Sequence, residues 1–195
     1  IAIGVALIVF GGVRRIASFT QVVVPVMALG YILIALVVMG ANYEKIPAMF
    51  SLIINSAFGL EAGYGAIIGM AIQWGVKRGI YSNEAGQGTA PHAAAAAEVS
   101  HPAKQGLVQA FSVYIDTLFV CTATALMILI TQQYNVVGTL TDGSFIVQNV
   151  AANTEIGSAA FTQMALLSIF GNFGQVFVGV ALFFFAFTTI LAYYY

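Results

Sequence analysis

Residues 17–41 and 164–195 contain no charged side chain, and each run is long enough to cross a bilayer as a helix. About 20 mostly apolar residues, each rising roughly 1.5 Å, cover a hydrocarbon core of about 30 Å. Composition points the same way. Hydrophobic residues make up 61% of the chain and charged residues 7%, against roughly 45–50% and about 25% in an ordinary soluble domain. A chain so poor in charge lacks the groups to cover its own surface in water, and lipid is the expected solvent. The net charge of −1 and the absence of any Lys/Arg cluster exclude a phosphate-tracking surface, so no nucleic acid partner is expected. The single cysteine, Cys121, lies in an apolar run and excludes an internal disulfide framework.

The expected architecture is all-α and integral to the membrane, with 1–195 forming part of a single transmembrane domain. Spans are read at about 1–13, 17–41, 62–97, 106–131 and 164–195. Both ends fall inside apolar runs, so the chain is read as a piece of a longer protein. Residues 46–58 place Ile46, Met49, Phe50, Ile53, Ala57 and Phe58 at helical spacing, as in an amphipathic helix lying on the interface. Residues 132–163 are polar enough for a loop, with a short helix expected near 144–153. Arg14, Arg15 and Lys104 fall on one side by alternation and Lys45 on the other, which makes the first side cytoplasmic. Glu44, Glu61, Asp142 and Glu155 then face outward.

The crossing at 62–97 is unusual. It begins apolar, then runs through Lys77, Arg78, Ser82, Asn83, Glu84, Gly86, Gln87 and Gly88 before an alanine-rich tail. Gly79, Gly86 and Gly88 are the residues that most readily leave the helix, and Pro91 removes a further donor. A membrane helix interrupted in this way exposes N–H groups suited to a carboxylate and carbonyls suited to a cation or ammonium, the two ends of an amino acid. An acid at mid-membrane depth costs about 2.5 kcal/mol or more on insertion scales and lines a pathway or finds a partner. Glu84 therefore pairs with Lys77 or Arg78, or faces a cation or substrate amine. The competing reading is a water-exposed loop between two re-entrant segments.

Two further candidates lie in other spans. Asp116 is a lone acid within 106–131, a functional candidate or a packing contact between helices. Thr188 and Thr189 are adjacent hydroxyls that suit a hard cation such as sodium, although threonines in membrane helices also bond their own i−4 carbonyl. His92 and His101 lack metal-site spacing. No nucleophile elbow, phosphate loop or zinc motif is present, so no enzyme activity and no cofactor are expected.

The stretch Gly75–Ala95, with Ser82-Asn83-Glu84-Ala85-Gly86-Gln87-Gly88-Thr89-Ala90-Pro91-His92 at its centre, closely resembles the signature of the alanine/glycine:cation symporters. Residues 105–109, 114–117 and 185–190 resemble that family too, and the likeness covers essentially the whole chain. The resemblance implies a fragment of an inverted-repeat bundle of the leucine-transporter type, holding core helices four to eight with helix six broken. It places Ser82, Asn83, Glu84, Gly86 and Gln87 in or beside the amino-acid pocket, and Thr188 and Thr189 at a sodium site. Asp116 falls near a possible second cation site. The implied function is import of alanine or glycine with co-transported sodium. Proton coupling and a channel-like or structural bundle are the alternatives. The partners implied are a small amino acid and the lipid bilayer, with the oligomeric state open.

Overall fold

The computed structural model describes residues 2–58, 64–84, 86–137, 145–151 and 158–193. A short helix α1 (Ala2–Val9) turns into the long α2 (Gly12–Ala41), followed by a 3-10 turn at Tyr43–Lys45 and α3 (Ile46–Phe58). Next come α4 (Tyr64–Asn83) and α5 (Thr89–Ala95). One continuous helix then runs from Pro102 to Ile130, as α6 (Pro102–Tyr114), a π-helical segment (Ile115–Cys121) and α7 (Thr122–Ile130). Two short strands, β1 (Asn135–Val137) and β2 (Phe145–Gln148), precede α8 (Ser158–Phe170) and α9 (Asn172–Tyr193). Among the described residues, three helices are long and apolar enough to cross a membrane: Arg14–Ala41, Pro102–Ile130 and Asn172–Tyr193.

Arg14 and Arg15 lie in the first turn of α2 and not in a connection before it. Pro25 removes one i→i−4 hydrogen bond from α2, yet the helix continues to Ala41. His101 caps α6, its Nδ1 accepting from the Ala103 amide at 3.1 Å, with Pro102 at the first helical position. Proline fits there because its missing N–H would be unpaired in any case.

Outside the candidate site, two segments depart from the sequence reading. The described part of the apolar run 164–195 lies in two helices. Gly171, at φ 59°, ends α8 with its amide on the Leu167 carbonyl at 2.9 Å, and α9 folds back along α8. The close approach needs Gly174, where a Cβ would stand 2.5 Å from the Leu166 carbonyl oxygen. Second, the described part of the segment read as a helix near 144–153 is a strand. Val136 and Val137 pair with Val147 and Phe145, residue types that favour a pleated surface. The Asn135 side chain fastens this pair, accepting from the amides of Asn149 and Val150 at 2.9 and 2.8 Å and donating to the Val150 carbonyl at 2.9 Å. Glu61, Asp142 and Glu155 lie outside the described residues.

The core lies between α2, α7, α8 and α9. Tyr31, Ala35, Val38, Met127, Ile130, Leu166 and Val178 are buried together, joined by Met49 from α3. A second cluster forms at the other end, where Ile16 packs with Phe187 and Leu191 and Phe19 meets Phe187 edge to face at 5.8 Å. Thus α2 and the Pro102–Ile130 helix run in the same direction and α9 runs against both. Arg14 and Gln105 consequently share one groove with Thr188. The outer face of α2, with Val22, Val26, Leu29, Leu33 and Leu36, is exposed, as a surface facing lipid or further helices should be.

Candidate functional site

Helix α4 stays regular through Gly79, Ser82 and Asn83, so the interruption is shorter than the glycine pattern suggests. One glycine costs a helix only about 1 kcal/mol, too little to open it at Gly79. The break occupies 84–88. Glu84, Gly86 and Gly88 have φ of 55°, 81° and 92°, and three left-handed residues so close together cannot continue a right-handed helix. Glycine takes this conformation freely, whereas a glutamate does so at a cost of about 1–3 kcal/mol, so its surroundings must hold Glu84. The Gln87 amide returns to the Glu84 carbonyl at 3.1 Å, and α5 starts at Thr89 with Pro91 in its first turn.

The end of α4 is tied to the π-helical segment. Ser82 Oγ donates to Asp116 Oδ2 at 2.8 Å and lies 3.2 Å from Cys121 Sγ. Asn83 Nδ2 donates to Thr117 Oγ1 at 3.3 Å. Asp116 therefore belongs to the same cluster as the break. A π turn is frequently found at functional sites, and here it carries both acceptors that face α4.

Glu84 does not pair with Lys77 or Arg78. Its carboxylate accepts from Thr89 Oγ1, across the break, and from Tyr193 Oη at 2.6 Å, on α9. Lys77 and Arg78 instead lie over the Trp74 ring, 4.9 and 5.6 Å from its centroid, a cation–π arrangement. Thr89, His92, Ala192 and Tyr193 line a cavity of about 260 Å³ beside this contact. Gly86 and Gln87 are exposed.

Thr188 Oγ1 donates to the Phe184 carbonyl at 2.8 Å and Thr189 Oγ1 to the Phe185 carbonyl at 2.8 Å. A hydroxyl donating in this way keeps lone pairs for a cation, so the bonds are compatible with either reading of the pair. Both threonines line a groove of about 1110 Å³ with Thr20, Gln21, Gln105 and Gln109. Thr189 lies four residues before Tyr193, hence on the same helical face and roughly 5–6 Å away. The hydroxyl pair and the break are thereby joined through one turn of α9.

The model of the sodium:alanine symporter family matches residues 1–195. The chain belongs to this family. It is 63% identical over 188 residues to a putative sodium/proton-dependent alanine carrier protein of Bacillus subtilis, covering 96% of the chain and 38% of the relative. It is 58% identical over 187 residues to the sodium/proton-dependent alanine carrier protein of Bacillus sp. strain PS3, covering 96% of the chain and 41% of the relative. The sodium/alanine symporter AgcS of Methanococcus maripaludis is 41% identical over 195 residues, covering all of the chain and 40% of the relative. The chain spans about two fifths of the length of these relatives. Membership makes this a transporter-family chain, not an enzyme, and a multi-pass protein of the cell membrane.

Three contributors escape sequence reasoning. Thr117 and Cys121 look like helix filling, and the π winding that gathers them with Asp116 leaves no mark in residue type. Tyr193 lies within an uncharged run, and its only signal is the four-residue spacing from Thr189.

Proposed function

We propose that the protein is a secondary active symporter importing a small neutral amino acid, alanine or glycine, together with sodium. The observation that carries this reading is the break at 84–88, with Ser82 and Asn83 just before it bonded to Asp116 and Thr117 and Glu84 at its start bonded to Tyr193. Ser82, Asn83, Asp116 and Thr117 gather around one interruption of the chain, as a binding site at a broken helix requires. The cavity of about 260 Å³ lined by Thr89 and Tyr193, the two residues that bond the Glu84 carboxylate, is below the roughly 300–1,000 Å³ of sites for drug-sized ligands, and suits a small substrate. The names of the relatives, alanine carriers and a sodium/alanine symporter, support the substrate and the ion.

In this reading the chain supplies core helices four to eight of a leucine-transporter-type bundle. Helix six is α4 and α5 with the break between them, and helix eight is α9. Ser82, Asn83, Glu84, Gly86 and Gln87 contribute to the amino-acid pocket. Thr188 and Thr189 offer oxygens to sodium, a hard cation suited to hydroxyl and carbonyl ligands. Sodium favours the conformation in which α9 is docked on the break, and the substrate favours the same one. Each ligand then tightens the other by the same factor.

A second reading, coupling to protons, is favoured by one feature. Asp116 is a carboxylate inside a span, bonded by Ser82, and such groups serve as proton carriers in transporters. Two relatives are named for both ions. Uptake of labelled alanine into proteoliposomes bearing the full-length protein separates the readings. An imposed sodium gradient at equal pH should drive accumulation under the first, and a pH gradient without sodium should drive it under the second. Uptake that neither saturates nor follows either gradient would refute both.

A further inference from the structure

We propose that Tyr193 is a positioning residue of the transport cycle, whose phenol holds Glu84 in its strained conformation only while α9 is docked on the break. The inference rests on the symport reading above and deepens it by naming the contact through which ion and substrate sites communicate.

Glu84 has φ 55°, a conformation that costs a glutamate free energy and persists only where the surroundings fix it. Two hydroxyls do so. Thr89 lies five residues on, within the same turn of chain; its bond survives any rigid movement of α4 and α5 together. Tyr193 is different, because it reaches Glu84 across 109 residues from another helix. Among the described residues it is the one bond between the carboxylate and α9, so it is made or lost as α9 moves. Tyr193 also lies one helical turn beyond Thr189 on the same face. A shift of α9 at the hydroxyl pair therefore carries the phenol with it. A bond to a carboxylate is about twice as strong as a neutral one, which gives the contact enough weight to bias a two-state equilibrium.

The test is Tyr193→Phe in the full-length protein in proteoliposomes, which removes the hydroxyl and keeps the ring. Alanine uptake is measured over a range of alanine and sodium concentrations. Alanine KM at limiting sodium should rise on the order of tenfold, with maximal uptake retained at saturating alanine and sodium. The sodium half-saturation should rise by a similar factor, because coupling is reciprocal. Glu84→Gln with Tyr193→Phe should be no worse than Glu84→Gln alone. Unchanged half-saturations in Tyr193→Phe, or additive effects in the double variant, overturn the proposal. A purely structural role would lower the amount of active protein and leave both half-saturations in place, which also overturns it. If Tyr193→Phe does not accumulate in membranes, Tyr193→Trp keeps an aromatic N–H donor. Half-saturations close to wild type then support the proposal, and values raised as in Glu84→Gln overturn it. Wild-type protein that shows no sodium-dependent alanine uptake would instead refute the symport reading itself.

Discussion

Replacing Gly174 by alanine sets two effects against each other, and the structure decides between them. Alanine in place of glycine within a helix gains about 0.8–1.0 kcal/mol in propensity. At Gly174 the new methyl would stand 2.5 Å from the Leu166 carbonyl oxygen, 2.7 Å from its carbon and 2.9 Å from its Cβ. Two of these atoms are backbone, so no side-chain rotation relieves the overlap, and α8 must move away by about 1 Å to reach ordinary contact. Overpacking of this kind costs about 1–3 kcal/mol, with the upper part of that range apt where backbone must shift. The expected net loss is about 1–2 kcal/mol. Gly179, on the same helix, meets nothing within 4 Å, so Gly179→Ala retains the propensity gain. Thermal unfolding of the two full-length variants in one detergent should rank Gly174→Ala below wild type and Gly179→Ala at or above it. A Gly174→Ala melting temperature equal to or above that of Gly179→Ala would show that α8 and α9 do not meet as described.

Four shorter expectations follow from the site and the loop. Ser82→Ala removes the donor 2.8 Å from Asp116 and should raise alanine KM by about tenfold, as the loss of a bond to a charged group costs about 1.5–3 kcal/mol; unchanged uptake kinetics would separate Asp116 from the site. Thr189→Val keeps the shape and removes the hydroxyl, so sodium half-saturation in uptake assays should rise while expression is maintained, and wild-type sodium dependence would refute the ion role. Gly88→Ala places a Cβ at φ 92° with an expected strain of about 1–3 kcal/mol, read as a loss of alanine-dependent thermal stabilisation of the full-length protein. Asn135→Ala removes three bonds that fasten the strand pair and should speed limited proteolysis within 131–151, an outcome absent if the side chain is only surface decoration.

The long spans are legible because lack of charge over a bilayer's width has few solutions. Helix α3 is legible for a similar reason, its apolar spacing predicting the observed Ile46–Phe58. The turn at Gly171 is less so: glycine at positive φ readily ends a helix, but this one sits in an uncharged run of spanning length, and the packing of Gly174 on Leu166 shows only in the structure. In the site, Ser82, Asn83 and Glu84 stand out as polar groups in an apolar setting. Apart from Asp116, their partners do not. Tyr193 and Thr117 are ordinary residues for a membrane helix, and tertiary contact alone marks them. The expected pairing of Glu84 with Lys77 or Arg78 fails because α4 remains helical there and turns both bases onto Trp74.

The widened turn at Ile115–Cys121 has a bearing on how one helix can be both greasy and charged. Asp116 precedes Ala123 by one heptad, and in an uninterrupted α-helix such positions differ in direction by only about 20°. Ala123, Met127 and Ile130 point into the dry interior, so regular winding would aim the carboxylate along the same apolar seam. Looser winding turns it toward Ser82 instead. Shortening the segment by one residue should drive that acid back among hydrocarbon, and the helix would then have to choose between burying its seam and keeping its charge wet.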